Sequence, residues 1–351
     1  RIETGDEADD QKDRPEDLRV GSDVSQERGD AVVRGDVGGE RGSASLAGDL
    51  RPAVGEEDRT GRNAQQQRGD VGPEPGHGSS YHWTTRFAGF DRLLAPLLLF
   101  VCFYVATLIL LTWLRFPFVQ WTGLICVSIA TLAIVLIWER GRWSLGLFVP
   151  PRLAVPEFAH GLLFGGALVG LCALLVVLST ALRHERGGGF PWLELVTIFI
   201  PAAVHEELLF RGYGFQKLHS RHRIFALVFV ALVFAWLHAG NESVTWIGLA
   251  NIFLGGILLG LAYERYGRLW FPIGLHLAWN LMSGPILGHE VSGYEAMQTL
   301  FVEVGEGAEV LTGGEFGVEG SVWMTVVEGC GIGALWGRGK TSAECRMQNA
   351  E

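Results

Sequence analysis

Cysteine and lysine are scarce in this 351-residue chain, and hydrophobic runs are missing from its first 82 residues. Cys102, Cys126, Cys172 and Cys330 stand singly in apolar runs and Cys345 lies near the C-terminus, with no Cys-x-x-Cys pair. That excludes a disulfide framework and a zinc knuckle, and leaves the cysteines as small core residues. Residues 1–82 hold 11 Lys+Arg against 19 Asp+Glu, a net of −8 out of the chain's −10. Rich in Gly, Arg, Gln, Asp and Pro, they cannot bury enough apolar surface to offset chain entropy, so 1–82 is expected to be a disordered acidic N-terminal tail. The stretch lacks the apolar core of a signal peptide. The rest is nearly neutral, so the acidic pI reflects the tail rather than a binding face, and no nucleic-acid partner is expected.

The remainder is membrane-like: over the whole chain mean hydropathy is +0.25 and 48% of residues are apolar, nearly all of that apolar content lies after Trp83, and the twelve tryptophans gather near segment ends. Spanning a bilayer takes about 20 residues of helix. Segments 93–114, 121–138, 158–182, 192–210 and 244–263 meet that length, 224–237 and 271–287 are shorter, and 322–336 carries Glu328 and several glycines. The expectation is an all-α, polytopic membrane helical bundle of about eight transmembrane helices over 83–338, with a short polar tail at 339–351. Gly165-Gly166 and Gly255-Gly256 suit close helix packing, and Trp121, Trp138, Trp192 and Trp270 read as interfacial anchors.

Assigning the cations of each connection to alternate faces puts Arg86, Arg92, Arg140, Arg142, Arg152, Lys217, Arg221, Arg223, Arg265, Arg268, Arg338, Lys340 and Arg346 on one side. The other side has Arg115, Arg183 and Arg186. Such a bias places both termini in the cytoplasm and the segment 288–321 outside. Arginine-heavy, lysine-poor usage and short loops suit a bacterial inner membrane.

Three stretches carry polar chemistry: His205-Glu206-Glu207-Leu208-Leu209-Phe210-Arg211, Phe234-Ala235-Trp236-Leu237-His238 and His276-Leu277-Ala278-Trp279-Asn280. Charges in hydrocarbon are costly and therefore usually functional. Residues four apart share a helix face, so Glu207 lies beside Arg211, Phe234 beside His238 and His276 beside Asn280. Glu206 is turned by about 100° from Glu207. Arg211 can therefore hold Glu207 ionised, while Glu206 points elsewhere and is available as a general base or acid. Counting from a polar turn at 217–223, Glu206 and His238 lie about 21 and 27 Å along their helices, a similar depth. His276 stands only about two turns inside its segment, so it meets them only if the first hairpin projects past the membrane surface. Taken singly, the Glu pair with Arg211 also reads as a solvated helix end, His238 as a helix-terminus histidine, and His276 with Asn280 as interhelical glue. His205-Glu206 starts like a zincin helix, but Leu209 stands where the second histidine belongs. Ser283-Gly284 lacks the glycine that precedes a rhomboid-like serine. His160, His205, His219, His222 and His289 are assigned structural or solvated roles.

In this order and spacing the three motifs closely resemble the CPBP intramembrane protease family, which includes the type II CAAX prenyl endopeptidases and proteins linked to bacteriocin processing or immunity. Glu206, Glu207, Arg211, Phe234, His238, His276 and Asn280 all match. The likeness extends over about 93–336, with Ser144-Leu145-Gly146-Leu147 before the third helix and, more loosely, Thr312-Gly313-Gly314-Glu315-Phe316-Gly317 before the last. It implies an endopeptidase in which Glu206 activates water, Glu207 and Arg211 hold its geometry, His238 and His276 bind a metal or the water, and Asn280 donates to the oxyanion. Zinc held by Glu206, His238 and His276 and a metal-free glutamate–histidine scheme both stay open; Asn280 is a poor zinc ligand. The implied substrate is a membrane-associated or lipid-modified peptide entering laterally from the lipid bilayer. Two other classes compete: a non-catalytic immunity or assembly factor on the same scaffold, and a proton-coupled transporter, which the lack of an internal repeat disfavours.

Overall fold

Every apolar segment picked out above folds as helix. The computed structural model describes residues 81–337, the first twelve by backbone alone, and they fall in the second of two units, Pro75–Glu351. The expected acidic tail (1–82) and polar tail (339–351) lie outside the described residues, apart from 81–82, which begin the first helix. That helix, α1 (Tyr81–Trp113), is followed by α2 (Val119–Ile137) and α3 (Pro151–Ser179). A short strand, β1 (Arg183–Arg186), leads into α4 (Trp192–Glu194), which runs through a π-helical stretch (Leu195–Phe199) into α5 (Ile200–Phe210). Then come α6 (Tyr213–His219), α7 (Arg223–His238), α8 (Trp246–Tyr266) and α9 (Trp270–Leu281), which a second π-helical stretch (Met282–Ile286) prolongs. After β2 (Phe301–Val304), α10 (Glu309–Thr312) and two 3-10 turns, α11 (Val322–Trp336) is the last described element.

The structure is a helical bundle, and it refines the expectation in three places. Among the described residues four helices are long and apolar enough to cross a membrane: Leu93–Trp113 within α1, α2, α3 and α8. The other four expected segments are shorter or pass through a π-helical stretch. The polar turn read at 217–223 is confined to 220–222, centred near Ser220 as expected, because 217–219 close the short helix α6, where Tyr213, Phe215, Gln216 and His219 are buried. The two loops also pair as a small antiparallel sheet, with Arg183 opposite Val304 and Arg186 opposite Phe301. Two four-residue strands 115 positions apart carry no readable alternation, so only the closure of the bundle brings them together. Their pairing puts loops 183–186 and 301–304 at one end of the bundle.

Both π-helical stretches have a proline as their cause. Pro201 lacks an amide hydrogen and its ring crowds the carbonyl four residues back, so the turn widens and Ile200 N–H bonds to Leu195 O. Pro285 does the same within 282–286, where Leu287 N–H reaches Met282 O at 3.0 Å.

Close helix approach comes from glycine. On the α3–α9 seam a Cβ at Gly161 would stand 2.2 Å from Phe271 O, one at Gly165 2.4 Å from Leu275 O, and one at Gly274 2.3 Å from Phe158 O. Between α7 and α8, a Cβ at Gly256 would come within 2.9 Å of Ala231. Gly165 and Gly256 therefore pack as their positions implied. Several cations counted above close onto carboxylates: Lys217 on Glu139 at 2.5 Å, Arg223 on Glu264 at 2.7 Å, and Arg268 on Glu157. His219 joins Glu264 at 2.7 Å.

At the sheet end, His184 Nε2 and His289 Nε2 are 3.2 Å apart, and His289 Nδ1 lies 3.0 Å from Glu303 Oε2. Burial, and then the neighbouring His289, hold His184 below the usual imidazole range.

Two outcomes follow for thermal unfolding in detergent. Gly161→Ala pushes a methyl into the α9 backbone and is expected to cost about 1–3 kcal/mol. Gly333→Ala, with nothing within 4 Å of its Cβ, is the control and should be neutral; equal losses would refute the seam. The His184 contact needs one unprotonated nitrogen facing the other. Because the folded form favours neutral His184, its contribution is full above the unfolded value of about 6.5 and is lost as pH falls below it. Unfolding of the wild type should therefore shift downward on acidification more than that of His184→Gln.

Candidate active site

The carboxylate pair sits in the last turn of α5, with Arg211 as its C-cap, where a cation meets the negative helix end favourably. Glu207 and Arg211 are both wholly buried. Arg211 Nη1 donates to Glu207 Oε1 at 3.0 Å, and Nη2 to the Gly256 carbonyl of α8 at 3.0 Å. From α9, His276 Nδ1 donates to the same Glu207 oxygen at 2.9 Å. That bond places the Nδ1 hydrogen and leaves Nε2 as an acceptor in the neutral ring. His276 Nε2 faces Glu206 Oε2 across 3.7 Å, too long for a direct hydrogen bond. The solvated helix-end reading of Arg211 is thereby overturned, and Glu206, with its side chain 23% exposed, turns away from Arg211 toward His276.

His238, at the end of α7, donates Nδ1–H to the Phe234 carbonyl at 2.8 Å, leaving Nε2 available. Glu206, His238, His276 and Asn280 line one open cleft of about 820 Å³. The required coincidence of His276 with the other two is met. One cleft wall is apolar, built from Phe118, Val119, Leu193, Ile198 and Phe199, and the loop from Val291 to Tyr294 forms a rim.

Phe234 has a larger part than its motif position suggested. Its ring stands 5.0 Å from the Arg211 guanidinium carbon, 4.4 Å from the His238 ring and 6.5 Å from the His276 ring, all by centroid. It separates the buried ion pair from the cleft histidine. Gly256 supplies a carbonyl for Arg211 as well as a packing contact, and only its small size hinted at the site. Of the histidines given no catalytic role, His205 pairs with Tyr104 at 3.2 Å and His160 with Tyr266 at 2.9 Å.

The donor set suits zinc in type but not in spacing. Two imidazoles with Nδ1 committed to a carbonyl or carboxylate and a cleft-facing carboxylate are the right donor types. Among the described residues, however, no group of three His, Cys, Asp or Glu side chains is placed to hold a metal ion. Glu206, His238 and His276 would have to draw together to bind one.

The fold and the site thus define a class: a helical membrane bundle with a Glu/His/Asn cleft. The family described as type II CAAX prenyl endopeptidase Rce1-like matches residues 188–282, a stretch containing all seven motif residues and agreeing with the motif resemblance. An uncharacterized 24.3 kDa protein of Escherichia coli is 34% identical over 88 residues, 24% of this chain and 40% of that protein. The UPF0177 protein YvdC of Lactococcus lactis subsp. lactis (strain IL1403) is 27% identical over 141 residues, 38% of this chain and 52% of its own length. The chain thus spans about half or less of the curated relatives it matches. No solved structure matches.

Arg211→Leu strands Glu207 in the core with only His276, and is expected to cost about 3–5 kcal/mol. The double variant Glu207→Gln with Arg211→Leu removes both formal charges and should recover part of that loss in denaturant unfolding. A double variant no more stable than the single one would show that the ion pair does not set the cost.

Proposed function

We propose that this protein is an intramembrane endopeptidase of the CAAX-protease type, with Glu206 as general base and His276 as its partner on the attacking water. The observation that carries this is the 3.7 Å gap between Glu206 Oε2 and His276 Nε2, open to a cleft and backed by a buried Glu207–Arg211 pair. A water in reach of both atoms would give its proton to Glu206 as its oxygen attacks the scissile carbonyl carbon. Asn280, which lines the same cleft, would donate to the developing oxyanion. As the C–N bond breaks, Glu206 returns the proton to the leaving amine, so the carboxylate is regenerated. Glu207 and Arg211 touch no substrate in this scheme; they position His276 and fix its tautomer. Phe234 shields them.

Zinc held by Glu206, His238 and His276 would supply Lewis acidity to the water or the carbonyl. No step above depends on it. The apolar wall of Phe118, Val119, Leu193 and Ile198 suits a hydrophobic or lipid-modified peptide reaching the cleft from the bilayer. The cation bias favours cytoplasmic termini in a bacterial plasma membrane.

Purified wild type and Glu206→Gln in detergent should be compared on fluorogenic peptides with and without a C-terminal prenyl group, with metal content measured on both. Removing the base should lower kcat by about 10²–10⁴-fold. Equal cleavage by both would show the site assignment wrong and move the immunity or assembly-factor reading ahead. Full activity in a preparation shown to be free of metal would remove zinc from the scheme.

A further inference from the structure

Adjoining the cleft is a second, smaller chamber of about 60 Å³. It shares His238, His276, Asn280 and Ser292 with the cleft and is lined beyond them by Asn251, Gly255, Trp279, Glu319 and Glu328. Most of its polar wall is satisfied by protein. Glu319 Oε1 accepts from the Trp279 indole at 2.7 Å, and its Oε2 accepts from Ser292 Oγ at 2.5 Å. Asn251 donates to the carbonyls of Glu319 and Ser321 at 2.7 and 2.9 Å, and Thr325 Oγ1 donates to its Oδ1 at 2.6 Å.

Glu328 is the exception. It projects from α11 with 1% of its surface exposed, it makes no ion pair among the described residues, and its Oε2 is buried without a hydrogen-bond partner among them. Its other oxygen lies 3.1 Å from where a Cβ on Gly255 would stand, so the absence of a side chain there keeps the carboxyl open to the chamber. A buried carboxyl oxygen without a protein partner calls for water. The chamber has room for a few molecules, since each needs about 10–15 Å³ by this measure, and Asn280, Ser292 and the histidines offer further polar contacts.

We infer that this chamber is a store of ordered water reaching His238, His276 and Asn280 beside the substrate cleft, and that Glu328 is the positioning residue anchoring it. Its use in hydrolysis rests on the endopeptidase reading; its hydration does not. Each peptide bond cleaved consumes one water, and a hydrophobic peptide seated in the cleft excludes bulk solvent from a site surrounded by lipid. Water held in the chamber, against His276 and Asn280, stays available when the cleft is full.

The test is pulsed hydroxyl-radical footprinting of the full chain in detergent, in which buried side chains react when ordered water adjoins them. After correction for intrinsic reactivity, Trp279 should be oxidised much faster than Tyr213, which is fully buried away from the chamber. Glu328→Leu should bring Trp279 down to the Tyr213 level, while Glu328→Gln should keep it high; both variants are first checked for a cooperative thermal transition. An unreactive Trp279 in folded wild type would overturn the water store, and undiminished labelling in Glu328→Leu would overturn the role of Glu328. On the fluorogenic peptides, Glu328→Leu should lower kcat with KM unchanged. Labelling as expected with kcat unaffected would overturn the supply role alone. Labelling as expected with no cleavage even by wild type would count against the endopeptidase reading and leave the hydrated chamber standing.

Discussion

The Glu207 carboxylate, met by the Arg211 guanidinium from its own helix and by the His276 imidazole from α9, is the contact on which the rest of this arrangement depends. Taking a carboxylate and a guanidinium out of water costs several kcal/mol per ion even after relaxation. The offset comes from close pairing: one carboxylate oxygen accepts from both partners, the guanidinium also caps the Gly256 carbonyl, and the Phe234 ring lies against its carbon, while Glu207 Oε2 and Arg211 Nε have no hydrogen-bond partner among the described residues. Three helices, α5, α8 and α9, are thereby tied at a single point. The bond to Glu207 also sets the hydrogen on His276 Nδ1, which turns Nε2 toward Glu206. A structural requirement, that a buried charge be answered, thus presents a free imidazole lone pair opposite Glu206.

Such a point contact is reachable only because the helices come close. Gly161 and Gly165 let the α9 backbone lie against α3, and Gly274 answers from the other side, so His276 and Asn280 are held on a rigid seam rather than a loop. The two proline-driven π-helical stretches flank this core, one before the carboxylate pair and one after Asn280. Widened turns of this kind often occur near functional sites, since they redirect side chains without ending the helix.

The far end of the bundle completes the cleft with little regular structure. Ser292 is held by Asn241 through its carbonyl at 2.9 Å and by Glu319 through its hydroxyl, and it lines both cavities. His184 and His289 fasten the same loop to the small sheet. The rim, the cleft and the chamber adjoining it are therefore parts of one hydrogen-bonded structure.

Helix positions, the bundle class and the seven motif residues could be read directly from residue type and spacing, because hydrophobic period and i, i+4 geometry are local properties. The pairing of Glu207 with Arg211 was legible for the same reason. Burial of Arg211 was not, since a cation near a helix end reads as solvated until the neighbouring helices are placed over it. Nor were helix α6, the β1–β2 pairing, the aromatic shield of Phe234 or the exposure of Glu328 to a chamber legible. Each depends on atoms far apart in the chain, and distances between helices follow from which glycines face which backbones. The sequence by itself determined which groups could do chemistry; only the tertiary structure decided which of them face one another, because burial and contact are properties of the packed whole.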